Sequence, residues 1–192
     1  KPSHLLQFAI MGHCFAKEIL HYENPKIGLL NIGEEKDKGN NVTQQTHDLL
    51  ENTNLNFIGN VEGKCLTEGT MDVVVCDGFV GNIVVKFGEG FVKLFRNFFK
   101  EQSKHSLRSL IGLWCFKPVF TAFKTKFDAD QYGGAHVLGV NGTIIIAHGS
   151  SGPEAIKNAL RVANENIQGK INEKISMALE KNPIQTSLPQ NT

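Results

Sequence analysis

The sequence lacks the local patterns by which several large classes of protein are recognised. Its net charge is only +1, so it has no marked basic excess of the kind that a general nucleic-acid binder needs to neutralise phosphates. No apolar run approaches the roughly 18 residues of a membrane-spanning helix. There is no G-x-G-x-x-G and no Walker loop, and so no sequence pattern that indicates nucleotide binding.

Paired cysteines and an activated serine are also missing. Four cysteines occur, at positions 14, 65, 76 and 115. No two form a C-x-x-C pair, so neither a structural zinc site nor a disulfide framework is predicted. Ser150 lies in GSSG and not in the G-x-S-x-G elbow of a serine hydrolase. Asp72 and Asp77 flank one strand about 17 Å apart, too far to form a carboxylate dyad. We expect a reduced, cytoplasmic protein.

The chain has enough hydrophobic residues to form one sizeable hydrophobic core. With 192 residues and 41% hydrophobic residues, the chain suits a single α/β domain over residues 1–182. We expect a helical, basic and aromatic insertion at about 100–127 and a flexible polar tail at 183–192. The first residues, KPSHLLQF, contain neither an initiator Met nor an apolar signal core. The sequence therefore reads as part of a longer protein.

Strand and helix patterns alternate along the chain. Apolar runs predict strands at 26–32, 56–60 and 72–77, the last of them buried on both faces. A phenylalanine-rich series with helical spacing follows Asn82, and Pro153 suits the first position of another helix. This alternation indicates an α/β architecture with a largely parallel sheet.

Gly-Asn pairs follow three of the predicted strands, at 39–40, 59–60 and 81–82. In open α/β sheets, ligands bind at the carboxyl ends of strands, where glycine lets the backbone approach them. Turn chemistry is the competing explanation, because glycine and asparagine both tolerate left-handed backbone angles. Both explanations stay open.

Two loops carry side chains suited to binding an anion. Asp77, Asn82 and Lys86 follow the strand at 72–77, where a helix start offers N–H donors. The loop HGSSGP at 148–153 also precedes a helix and can hold a phosphate with hydroxyl and N–H groups. An ordinary serine cap beside a hydrogen-bonded histidine is the alternative for this second loop.

Five segments, taken together, resemble a known family. In chain order they are GLLNIGEEKDKGN, NFIGNVEG, DVVVCDGFVGN, YGGAHVLGVNG and AHGSS. They resemble motifs of the bacterial phosphate acyltransferases of phospholipid synthesis, from near Lys1 to about Ala163. The family has a substantial N-terminal portion, with its own glycine-rich loop, so this chain resembles the C-terminal part. The resemblance implies a three-layer α/β/α fold like that of phosphate acetyltransferases and isopropylmalate dehydrogenases.

The resemblance also implies a reaction, in which acyl-[acyl-carrier protein] and inorganic phosphate give acyl phosphate and the free carrier protein. Its members are homodimers, soluble or membrane-associated, and neither an organic cofactor nor a metal is expected. Phosphate is itself the nucleophile, so no serine or cysteine needs to be covalently modified. The residues with an expected chemical role are Asn82, Lys86, His148 and Asp77. Those expected to bind substrate are Gly33, Glu34, Lys38, Asn40, Gly78, Gly81, Gly149, Ser150 and Ser151.

We assign hypothetical roles to the main candidates. Asn82 donates to the oxyanion, and Lys86 faces the same ligand one helical turn further on. His148 protonates the departing sulfur or donates a hydrogen bond to it. Asp77 orients a lysine or a backbone group. Glu34 orders Lys38 or is a solvated loop acid. Backbone N–H groups at 78–82 and 149–151 would hold the phosphate and the oxyanion.

The segment at 100–126 combines six basic residues with one acid and carries interleaved aromatic residues. An amphipathic hairpin on an anionic membrane surface is one interpretation. A dimer contact and docking of the acidic acyl-carrier protein are the other two.

Two other classes of function remain as alternatives. A metal- and NAD-dependent decarboxylating dehydrogenase has the same fold but needs clustered aspartates, and the strand-end loops offer Asn and Gly instead. A non-catalytic, membrane-associated module is the third hypothesis. Intact polar residues in the strand-end loops disfavour it.

Overall fold

The structure is a computed structural model that describes residues 1–102, 104, 106–126, 134–147, 149 and 151–182. The chain divides into two compact units. The first comprises Lys1–Cys76, Ala135–Ile146 and Leu160–Thr192, and the second comprises Asp77–Gly134 and Ala147–Ala159, each as far as it is described. The predicted tail at 183–192 lies outside the described residues.

Helices and strands alternate up to residue 102, as the sequence predicts. The helices are α1 (Pro2–Glu18), α2 (Asn41–Glu51), α3 (Cys65–Glu68), α4 (Gly78–Gln102), α5 (Leu107–Cys115), α6 (Lys117–Lys126), α7 (Pro153–Gln168) and α8 (Ile171–Lys181). The strands are β1 (Ile27–Leu30), β2 (Phe57–Val61), β3 (Val73–Val75), β4 (Ala135–His136) and β5 (Ile145–Ile146). The α/β class is confirmed, and it agrees with the three-layer α/β/α fold that the resemblance implies.

Three strands of the first unit form a parallel sheet in the order β2-β1-β3. Ile27 lies opposite Phe57 and Leu29 lies opposite Asn60, so β2 contains one extra residue between these pairs. Gly59 lies in this bulge with φ +98°, a conformation that glycine adopts without steric strain. Because the strands are parallel, their carboxyl ends lie at one edge of the sheet.

The core of the first unit lies between α1 and the sheet. Leu6 and Ile10 of α1 are buried in one cluster with Ile27 and Leu29 of β1 and Leu50 of α2. Burying a side chain of this size contributes roughly 1.5–3 kcal/mol. Helix α8 also packs against α1. The apolar residues of α1 therefore pack against the apolar residues of the sheet.

Two details of the first unit differ from the prediction. Val73 and Val74 of β3 are only half-buried and Val75 alone is buried, because β3 is an edge strand of the described three-stranded sheet. The expectation of a strand buried on both faces was wrong. The unit also contains the short antiparallel strands β4 and β5, whereas the strands predicted above all belong to the parallel sheet.

The second unit is built around α4, none of whose described residues is buried. Its phenylalanines stack along the helix, with ring centroids of Phe87 and Phe91 6.4 Å apart. Phe99 meets Phe120 of α6 at 5.0 Å, edge to face. Helix α5 ends at Cys115 and α6 begins at Lys117, so Pro118 lies in the first turn of α6. Within the described residues, no helix is both long enough and apolar enough to cross a membrane.

Candidate functional site

The loop between β1 and α2, residues 31–40, is ordered by its own polar side chains. Asn31 accepts from the N–H of Ile32 (2.9 Å) and donates to the carbonyl of Lys38 (3.0 Å). Gly39 has φ +92°, and a Cβ there would lie 2.2 Å from Thr43 Oγ1 and 2.4 Å from Asn31 Oδ1. Only glycine fits at this position, because both the backbone angle and the available space exclude a side chain.

Two side chains from outside this loop also hold its backbone. Asn60 of β2 donates to the carbonyl of Glu35 (2.7 Å), and Gln44 of α2 donates to that of Asp37. Asn60 is buried, and its Oδ1 has no hydrogen-bond partner within the described residues. The Gly-Asn pair at 59–60 had singled out Asn60 in the sequence. Its contact with Glu35, which is 25 residues away in sequence, could not be predicted.

Asn40 caps helix α2. Its Oδ1 accepts from the N–H groups of Val42 (2.9 Å) and Thr43 (3.0 Å), and Thr43 Oγ1 accepts from the N–H of Asn40 (3.0 Å). This reciprocal arrangement is a capping box. Turn and cap chemistry therefore explains the Gly39-Asn40 pair.

Of the two expectations for Glu34, the ordering of Lys38 is not seen, and the side chain is an exposed loop acid. Glu34 pairs with Lys64 (3.5 Å) and not with Lys38. Lys64 also pairs with Glu62 (2.9 Å), and this carboxylate, with Glu34, raises the pKa of the lysine. Lys38 is exposed, and its ammonium has no partner among the described residues. The stem of Lys38 covers Gly33, where a Cβ would lie 2.8 Å from the lysine Cγ.

Asp77 caps the start of α4. Its Oδ1 accepts from the N–H groups of Phe79 (2.8 Å) and Val80 (2.9 Å), and its carbonyl accepts from Gly81 (2.9 Å). These three donors, expected to hold substrate, are engaged by Asp77 in this structure. Gly81 and Asn82 lie inside α4, so the expectation that this pair ends a strand was wrong.

The side chains further along α4 are exposed. The side chain of Asn82 makes no hydrogen bond within the described residues, and Lys86 pairs with Glu89 (2.9 Å), which is also exposed. An exposed pair of this kind is worth about 0–1 kcal/mol. Gly78 begins the helix, and a Cβ there would meet nothing within 4 Å.

The structure brings the expected residues together in two groups. Gly33, Glu34, Lys38 and Asn40 share the loop at residues 31–40 of the first unit. Asp77, Gly78, Gly81, Asn82 and Lys86 share the start of α4 in the second unit. Gly149 is exposed and Ser151 is half-buried, whereas His148 and Ser150 lie outside the described residues.

The sequence analysis did not single out His136 of β4. The carboxamide N–H of Asn166 donates to its Nδ1 (2.6 Å), and Phe15 packs edge-on against its ring with centroids 4.5 Å apart. Burial lowers the pKa of His136 below its ordinary value of 6.5, because desolvation disfavours the charged imidazolium. Nothing in the local sequence pattern marked this contact, since Asn166 lies 30 residues away.

Comparison with known proteins identifies the family. The sequence profile of a family described as "Fatty acid synthesis protein" matches residues 1–174. The chain belongs to this family. The match covers both compact units, including the loop at residues 31–40 and the start of α4.

Three curated proteins similar to this chain share the name phosphate acyltransferase. The chain is 47% identical over 182 residues to the phosphate acyltransferase of Geotalea uraniireducens (strain Rf4), covering 95% of this chain and 53% of the relative. It is 50% identical over 182 residues to that of Dictyoglomus turgidum, covering 94% and 54%. It is 45% identical over 175 residues to that of Aquifex aeolicus, covering 91% and 52%. The chain thus spans about half the length of the curated relatives it matches.

Proposed function

We propose that the protein to which this chain belongs transfers an acyl group from acyl-[acyl-carrier protein] to inorganic phosphate. A phosphate oxygen attacks the thioester carbonyl carbon, the C–S bond breaks, and the thiol leaves with a proton. Acyl phosphate and the free carrier protein are the products. The names of relatives 45–50% identical to this chain support this reaction. The alternative functions receive no such support.

The observation that carries the proposal is the ordering of the loop at residues 31–40. Side chains of the loop itself, of β2 and of α2 hold its backbone, while the ammonium of Lys38 is exposed and unpaired among the described residues. A cation on a pre-ordered loop suits a dianionic nucleophile, because little reorganisation is needed when phosphate binds. Lys38 of the first unit and Lys86 of the second are alternative candidates for phosphate binding, and Asn82 is the candidate for oxyanion stabilisation.

Asp77 has a different role in this proposal. Because its carboxylate caps α4, it orients backbone and does not act as a base. Gly33, Gly78 and Gly81 would contact substrate only through their backbone. His148, Ser150 and Ser151 remain proposed ligands of the leaving thiol and the phosphate, with Gly149 beside them.

Trapping the product tests the reaction directly. The full-length protein is incubated with an acyl-carrier-protein thioester and inorganic phosphate, and hydroxylamine converts any acyl phosphate to the hydroxamate. Hydroxylamine also reacts directly with the thioester, so we expect hydroxamate above that background only when phosphate and protein are both present. Thioester hydrolysis that does not depend on phosphate would contradict the proposal.

We also propose that the second unit contacts a second copy of the protein. Helices α4, α5 and α6 line an apolar cavity of about 1030 Å³, whose aromatic walls include Phe95, Phe99 and Trp114. Trp114 is 74% exposed, and an uncovered apolar surface of this kind is typical of an interface. Sedimentation of the full-length protein should give a dimer that Trp114→Glu weakens. A monomer that floats with anionic vesicles would favour the membrane contact instead, and one that binds carrier protein would favour docking.

A further inference from the structure

Helix α2 presents three metal-ligand side chains on one of its turns. His47, Asp48 and Glu51 each place a donor atom within 4.8 Å of the donor atoms of the other two. His47 Nδ1 lies 3.7 Å from Glu51 Oε1. These residues lie in the C-terminal half of α2, away from the cap that holds its start at Asn40.

His47 supplies an independent observation that points to a ligand. Its side chain is only 5% exposed, and its Nδ1 is buried without a hydrogen-bond partner among the described residues. Phe57 fixes the imidazole edge to face, with ring centroids 5.2 Å apart. A buried polar atom left unpaired costs about 1–3 kcal/mol. This nitrogen faces the carboxylate of Glu51, so a cation bound between them would give the nitrogen a partner.

The two carboxylates already attract a cation. The ammonium of Lys36 pairs with Asp48 (3.1 Å) and with Glu51. These hydrogen bonds, with Glu51 the stronger, raise the pKa of Lys36. All three side chains are largely exposed, so another cation can exchange with the ammonium at little cost. A competing cation would therefore bind where the ammonium of Lys36 now lies, between Asp48 and Glu51.

We propose that His47, Asp48 and Glu51 bind one divalent transition-metal ion, of the class of Zn²⁺ or Co²⁺, in exchange for the ammonium of Lys36. An imidazole nitrogen with two carboxylate oxygens suits these ions, whereas Mg²⁺ and Ca²⁺ prefer oxygen ligands alone. Tetrahedral ligands at about 2 Å from Zn²⁺ lie about 3.3 Å apart. The observed 3.7 Å separation is close to that value, and water would complete the coordination. This site is independent of the proposed acyl transfer.

Cobalt titration tests the site. The full chain, freed of any affinity tag, is titrated with CoCl₂ while the visible d–d absorption is recorded. We expect saturation at one equivalent and loss of the absorption when ZnCl₂ is added. Glu51→Gln should weaken Co²⁺ binding by about tenfold or more, since even changes around a metal's ligands cost that much. Lys36→Met should strengthen it roughly twofold to fivefold, because the competing ion pair is removed.

A matched variant separates this site from adventitious binding. Glu62 is another partly exposed carboxylate paired with a lysine, but it does not belong to this cluster. Glu62→Gln should bind Co²⁺ as the unmodified chain does. His47→Asn should lose binding while circular dichroism still shows a folded chain. Absence of saturable binding would overturn the proposal, and so would equal affinity in the unmodified and Glu51→Gln chains. Neither result would affect the hydroxylamine assay.

Discussion

The two compact units differ in how far they bury their apolar side chains. In the first, Leu5, Leu6, Ala9 and Ile10 of α1 are buried in one cluster with residues of β1, β3 and α2. In the second, the 25-residue helix α4 has no buried residue among those described, and its phenylalanines stack on one another. The comparison indicates that the first unit buries apolar side chains within itself, whereas the second leaves much of its apolar surface exposed.

The largest effect should come from the core of the first unit. Leu29→Ala removes a fully buried side chain from the central strand and should lower the free energy of unfolding by about 2–5 kcal/mol. Phe91→Ala, on the exposed face of α4, should change it by no more than about 0.5 kcal/mol. Urea unfolding of both variants at low protein concentration measures the difference. Equal losses would contradict the comparison, and a Phe91 effect that grows with protein concentration would indicate a second copy on α4.

The next effect concerns catalysis and not stability. Asn82→Ala in the full-length protein should lower turnover by about tenfold to a thousandfold if the carboxamide donates to the oxyanion. The side chain is exposed and unbonded within the described part of the chain, so unfolding should be unaffected. Steady-state assays with the carrier-protein thioester measure this. Normal turnover in a folded variant would remove Asn82 from the mechanism.

Replacing Gly39 should lower the stability of the fold for steric reasons. Gly39→Ala places a methyl group against Asn31 and Thr43 at a positive φ, which should cost about 1–3 kcal/mol. Gly63→Ala is the matched control, because a Cβ there would meet nothing within 4 Å. Thermal unfolding of the two variants should therefore separate them. If the two melt together, the loop at residues 31–40 is not held as described.

The smallest effect is a pH dependence within the first unit. The folded-state pKa of His136 is lowered by burial, so the unfolded chain takes up its proton first as the pH falls. The stability contributed by neutral His136 is complete above about 6.5 and decreases below it. His136→Asn should flatten the loss of stability between pH 7 and 5, measured by urea unfolding. His13, whose pKa burial also lowers, leaves a residual slope, and an unchanged slope would contradict the assignment.

Local features were predictable from the sequence, and contacts between distant residues were not. The three parallel strands, the helix beginning at Pro153 and the turn chemistry of Gly39 follow from apolar runs and backbone preferences that act within a few residues. The pairing of Glu34 with Lys64 and the hydrogen bond from Asn60 to Glu35 depend on how β2 lies beside β1. Gly81 was misplaced because the strand ended at Val75 and the helix had already begun at Gly78.

The account depends most on the exposed cation of the ordered loop. Lys38→Met in the full-length protein should raise the KM for phosphate by about tenfold, with kcat and the KM for the carrier-protein thioester nearly unchanged, because one charge-assisted contact is lost. Lys64→Met, which removes a lysine already paired with Glu62 and Glu34, should leave the KM for phosphate unaltered. A Lys38→Met enzyme whose KM for phosphate equals that of the unmodified protein would contradict the account.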